Sequence, residues 1–186
     1  PNFDQKKALQ QVMFFLGVKE FNQQNFKESI SYFSQANQYR INDSYSYLSD
    51  FWMADCYFHL NDYEKAIEVY NSLIFSANKN LANYENLKKY NLAYSYFQKS
   101  DYINAVKWFR SYEKVTSDSM KINDAYLRIA DAYFMSSDFS LSAKYYNKAV
   151  VCNLFDTDYA LYQNSVALGL IGKNASGTGW DLDIHI

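Results

Sequence analysis

Two aspartates, Asp55 and Asp131, stand at matching places, each directly after a small residue (Ala54, Ala130). Paired carboxylates can do general acid–base work. Here they read instead as helix-surface charges, with Arg128 three residues before Asp131 as an ion-pair partner of small worth. Only two histidines occur, His59 and His185, so no metal set of the usual spacing can be assembled. Cys56 and Cys152 stand far apart and read as small buried apolar side chains rather than a disulfide. No glycine-rich loop followed by lysine offers a phosphate cradle. The reactive residue types thus point away from an enzyme, and no cofactor or metal is expected.

Aromatic and helix-compatible residues are what the chain has in quantity. Aromatics make up 19% of the 186 residues and hydrophobic residues 49%, while glycine (5) and proline (1) are scarce. Few breakers and ample apolar bulk predict an all-α protein able to fill a core. With 20 acidic against 18 basic residues there is no surplus positive charge to displace counterions, which argues against a nucleic-acid partner. No apolar run approaches the roughly 18 residues needed to span a bilayer. The first residues, PNFDQKKALQ, lack both an initiator Met and the charged-then-apolar pattern of a secretion signal, so the chain reads as a piece of a longer or processed protein.

The elements that must position these side chains repeat. Aromatic anchors at Phe26, Tyr63, Tyr102 and Phe139 are separated by 37, 39 and 37 residues. Three residues after each comes a small side chain (Ser29, Ala66, Ala105, Ser142), and seven after comes an aromatic (Phe33, Tyr70, Phe109, Tyr146). These spacings share one helical face. Nine residues before each anchor stands another small residue, Gly17, Ala54, Ala93 or Ala130, preceded by a larger apolar one, Leu16, Met53, Leu92 or Ile129. They belong to a preceding helix. Asn25, Asp62, Asp101 and Asp138, directly before the anchors, are placed to cap the second helix, and Glu28 is placed to complete a capping box with Asn25. Small residues let two helices approach, and the aromatics fill the flanks of the crossing.

This order of large apolar, small and aromatic, then aromatic, small, aromatic and small, resembles the tetratricopeptide repeat. It runs Leu16-Gly17 to Phe26-Ser29-Phe33-Ala36, then Met53-Ala54-Tyr57 to Tyr63-Ala66-Tyr70. It continues as Leu92-Ala93-Tyr96 to Tyr102-Ala105-Phe109, and as Ile129-Ala130-Tyr133 to Phe139-Ser142-Tyr146-Ala149. The resemblance implies a right-handed α-solenoid of about four and a half helix hairpins over residues 1–176. The repeats fall at about 6–41, 45–78, 83–117 and 121–154, with a half repeat at 158–174. Departures from the family are its longer period, the absence of a repeat-ending proline, and Glu20 at an expected aromatic. The Tyr- and Asn-rich units further resemble the large multi-repeat proteins of Bacteroidetes-type bacteria, which implies a periplasmic or cell-envelope location. Residues 177–186 break the pattern with Gly177, Gly179 and the alternating WDLDIHI, and read as an engineered or junction-derived tail, with a natural extended segment as the alternative.

In the resembled family, partners lie along the face built from the first helices. Counted from each small residue, that face presents Phe14, Val18, Phe21 and Asn22, then Phe51, Asp55, Phe58 and His59. The third and fourth copies give Tyr90, Tyr94, Phe97 and Gln98, then Leu127, Asp131, Phe134 and Met135. Phe21, Phe58, Phe97 and Phe134 read as wedges between helices, whereas Phe14, Phe51, Tyr90 and Tyr94 read as exposed anchors. Family members that clamp a terminal carboxylate carry Lys, Asn and Arg in this groove; Phe14, Val18 and Trp52 stand in those places, so that activity does not carry over. The partner implied is an apolar or aromatic protein or peptide segment. The alternatives are a spacer in a longer array, self-association through the open C-terminal half repeat, or a sensory domain of a larger protein.

Overall fold

Four turns of one geometry set the architecture. The computed structural model describes residues 2–73 and 81–176. In each turn from a first helix to a second, two backbone hydrogen bonds of 2.9–3.0 Å recur. Gln24 N donates to Phe21 O and Asn25 N to Glu20 O, and the same pair recurs at Asn61 and Asp62, at Ser100 and Asp101, and at Ser137 and Asp138. These bonds satisfy carbonyls the helix end would otherwise orphan. Each turn passes through the left-handed region at one residue, with φ of 63° at Gln24, 61° at Asn61, and 60° at both Ser100 and Ser137. None is glycine, so each turn carries strain of about 1 kcal/mol, which the packing beyond it offsets.

The helices so joined are α1 (Phe3–Asn22), α2 (Phe26–Asn37), α3 (Asp43–His59), α4 (Tyr63–Ser72) and α5 (Ala82–Gln98). They are followed by α6 (Tyr102–Glu113), α7 (Ser119–Met135), α8 (Phe139–Cys152) and α9 (Thr157–Ser176). Among the described residues there are nine helices and no strand, as the scarcity of breakers predicts. The chain divides into two compact units, 1–101 with α1 to α5 and 102–186 with α6 to α9. In the first, α1 packs with α2 and α3 with α4; in the second, α7 packs with α8 and α8 with α9. The alternating residues Trp180 to Ile186 lie outside the described residues.

The expected caps at Asp62 and Asp138 form: Asp62 accepts from Lys65 N at 3.3 Å and Asp138 from Leu141 N at 3.0 Å. Asn25 does not cap, and the box with Glu28 is not made. Its amide instead donates to Glu20 Oε2 at 2.8 Å, so the acid that replaces the first copy's aromatic draws the cap residue away. The capping box in the structure joins Asn2 and Gln5, and α3 and α7 are capped by Asn42 and Asp118 from the connectors.

The crossings behave as the small residues dictate. Gly17, Ala54 and Ala130 are buried. At Gly17 an added Cβ would sit 2.6 Å from Phe33 Cε1, and the Phe33 ring is fully buried. Ser29 Oγ donates to Gly17 O at 2.8 Å, which binds the two helices where they are closest. Two buried amides add clips between repeats. Gln10 donates to Ser46 Oγ at 3.0 Å and accepts from Asn42 N at 2.8 Å, and Asn123 Nδ2 donates to Phe155 O at 3.2 Å. Both stand seven residues before a crossing residue, Gly17 or Ala130.

Gly17→Ala is expected to lower stability by about 1–3 kcal/mol, because the ring it meets has nowhere to move. Gly172→Ala in α9 meets nothing within 4 Å, and is expected to gain up to about 1 kcal/mol from helix propensity. Urea unfolding of the two variants measures both, and equal effects would contradict the close crossing.

Candidate functional site

Among the described residues, six of unit 1 line an open recess of about 280 Å³: Asp55, Phe58 and His59 from α3, and Tyr90, Asn91 and Tyr94 from α5. Asp55, Phe58, His59, Tyr90 and Tyr94 belong to the expected first-helix face, and the fold brings these five together. The helices present them because Ala54 and Ala93, both fully buried, fix the rotation of α3 and α5. The Tyr90 and Tyr94 rings meet edge to face, with centroids 5.0 Å apart and planes at 61°. Phe58 makes an edge contact with Tyr63 at 5.5 Å, and His59 stacks on Phe26 at 4.7 Å with planes 6° apart. The recess is therefore walled by rings whose own neighbours hold them in place.

Its acid is held in a polar network. Asp55 Oδ1 accepts from the Tyr70 hydroxyl at 3.3 Å and from Asn91 Nδ2 at 3.2 Å, and Asn91 Nδ2 lies 3.1 Å from the Tyr70 hydroxyl oxygen. Burial pushes the Asp55 carboxyl above the ordinary carboxylate range, opposed by the field of His59 and the hydrogen bond from Tyr70. Burial also pushes the Tyr70 phenol well up, with the Asp55 charge adding to the shift. The same pairing recurs in unit 2, where Tyr146 donates to Asp131 Oδ1 at 2.7 Å. Asp131 is buried and Asp55 half-buried, each bound to the tyrosine of its own second helix, which corrects their reading as plain surface charges. The signal was present in the sequence. Where the residue after the crossing is Asp, the aromatic fifteen residues later is Tyr; where it is Val18 or Tyr94, that aromatic is Phe33 or Phe109.

The remaining expected residues go elsewhere. Phe14 is 6% exposed and Phe51 is 0% exposed, which corrects their reading as free anchors. In the first two hairpins the position three before the crossing lies between its own second helix and the next hairpin: Phe14 meets Phe33 at 5.9 Å and Tyr45 at 5.1 Å, and Phe51 meets Tyr70 at 5.9 Å and Tyr84 at 5.3 Å. Leu127 is fully enclosed and Asp131 is 8% exposed, so neither offers a free surface. Val18 is half-buried against the cluster of Phe14, Phe33, Ala36 and Cys56. Phe97 is half-buried, and half-buried Phe134 sits edge-on to Phe139 at 5.4 Å, consistent with a wedge. Asn91 and Tyr70 were missed as site residues. Asn91 falls two before the crossing residue and Tyr70 sits on the second helix, both outside the positions counted.

Unit 2 has a larger cleft of about 700 Å³ beside α6, with Ile103, Lys107, Arg110 and Lys114 on one side and Tyr133 and Asp138 on the other. Its three cations make no ion pair among the described residues, but all are exposed and hydrated, so no buried charge there demands a ligand. Among the described residues no group of three or more His, Cys, Asp or Glu could hold a metal ion, and no helix is long and apolar enough to cross a membrane. Both cysteines are free, and burial pushes the Cys56 thiol up to about 11.

Residues 49–74 match the tetratricopeptide repeat family. Among solved structures, a MamA protein superposes with a TM-score of 0.67 at 14% identity, covering 97% of this chain and 100% of that one. A MamA RS-1 ArsTM double mutant superposes with a TM-score of 0.66 at 13% identity, covering 90% of this chain and 97% of that one. No curated protein matches. Residues 49–74 are a tetratricopeptide repeat, and the fold is the all-α helix-hairpin solenoid of that repeat's architecture.

Because the Asp55 carboxyl is lifted by burial, its protonated form is favoured in the folded state. The stability it contributes is present below the unfolded carboxylate range and is lost as pH rises through the folded value. Asp55→Asn keeps the Oδ1 acceptor and removes this loss. Thermal unfolding against pH is expected to show the variant gaining on the wild type as pH rises from 3 toward 7; a parallel offset at every pH would contradict it.

Proposed function

We propose that the chain is a non-catalytic scaffold that holds a segment of a partner protein against its first helices, anchored in the recess of Asp55, Phe58, Tyr90 and Tyr94. The observation that carries this reading is the recess itself, concave, ring-walled and closed on one side by a hydrogen-bonded carboxylate. Rings of this kind bury large area for little rotamer entropy, which is what an interface anchor requires. Tetratricopeptide-repeat architecture supports protein partners in general. Val18 and Phe97, each half-buried, extend the contact along the first-helix positions of unit 1 in this reading.

A second reading has its own observation. Helix α9 buries Ala160 and Ala167 yet leaves Leu161, Tyr162 and Leu168 exposed, an apolar face that suits self-association or the next repeat of a longer array. Sedimentation across a concentration range separates the two, since self-association requires the mass to rise with concentration.

Tyr90→Ala with Tyr94→Ala is expected to abolish recovery of the partner from native extract while the melting temperature moves little, because both rings are only half-buried. Phe51→Ala, at a fully buried ring, is expected to cost about 3–5 kcal/mol of stability. Unchanged recovery with the double variant would remove the recess from the account.

A further inference from the structure

The two Asp–Tyr pairs differ at one oxygen. At Asp131, Oδ1 accepts from Tyr146 at 2.7 Å and Tyr159 at 2.8 Å, and Oδ2 accepts from Arg128 Nη1 at 2.6 Å. The same guanidinium reaches Asp124 through Nε at 3.6 Å. At Asp55, Oδ1 is likewise taken twice, by Tyr70 and Asn91. The residue three before it, however, is Trp52, whose indole packs on Phe21, Phe51 and Tyr84. Among the described residues no hydrogen bond reaches Asp55 Oδ2. His59 contributes its field but no hydrogen bond, its ring being stacked on Phe26.

Asp55 Oδ2 keeps solvent access on a side chain that lines the recess, and charge-assisted hydrogen bonds from a planar guanidinium are the strongest a partner can offer such an oxygen. Ring faces attract the same cation. We propose that the recess receives the guanidinium of an arginine carried by the bound partner segment, completing at Asp55 the arrangement that Arg128 completes at Asp131. The inference rests on the recess being the binding site. It adds one arginine to an otherwise apolar segment, and the molecule's own fourth repeat supplies the precedent for the contact.

The test uses the full chain with its tyrosine rings and aspartate carboxyls isotope-labelled, titrated with the acetylated, amidated peptide Phe-Gly-Arg-Gly-Phe. A second peptide carries citrulline, which keeps the shape of arginine without the charge. The arginine peptide is expected to shift the Tyr90, Tyr94 and Asp55 signals saturably in the millimolar range or below, with the citrulline peptide at least tenfold weaker. Asp55→Asn is expected to erase that preference. Equal binding of the two peptides at the same rings overturns the arginine assignment and leaves the recess reading standing. If neither peptide moves those rings, the recess reading fails with it. The peptide comparison on the wild-type chain decides the matter even if the variant folds poorly.

Discussion

The close crossing of the two helices in each hairpin governs the rest of the molecule. At Gly17 the second helix's Phe33 ring occupies the space a Cβ would need, and Ala54 and Ala130 are buried at the corresponding places in their own hairpins. Such a crossing leaves the aromatic sixteen residues later with one position and one direction. When that aromatic is tyrosine, its hydroxyl falls beside the residue following the crossing. Tyr70 and Tyr146 therefore reach Asp55 and Asp131. A buried hydroxyl must find a partner, and an acid at that place provides one. Phe33, without a hydroxyl, stands opposite Val18. The polar floor of the recess follows from a packing rule applied to a tyrosine.

The same rule sorts the first-helix positions into closed and open. Three residues before the crossing, Phe14, Phe51 and Leu127 face inward between hairpins and contribute burial. At that place Tyr90 is only half-buried, and its ring lies against Tyr94 beside the recess. Burying a ring contributes about 1.5–3 kcal/mol, so the closed positions supply stability and the open ones have surface left to offer a ligand.

Periodicity made the hairpins, the turns and the caps at Asp62 and Asp138 legible in the sequence, because each depends on neighbours within one turn of helix. Asp62 and Asp138 cap as their position dictates; Asn25 does not, because Glu20 competes for its amide. The exposure of Phe14 and Phe51 was misjudged for a different reason. Spacing tells which face a ring is on, while closure by Tyr45 and Tyr84 depends on how the following helix arrives. The roles of Gln10 and Asn123 were equally hidden, since polar residues at core positions make sense only once Asn42 and Phe155 are in reach. Of the recess, the five residues on counted positions were readable, and Asn91 was not.

The most direct test of the account is where a partner touches the chain. A photo-crosslinking phenylalanine analogue placed singly at Phe58, Ile103 or Tyr162 samples the recess, the α6 cleft and the open face of α9. The account predicts a partner adduct from position 58 and none from 103 or 162; adducts only from 103 or 162 would contradict it.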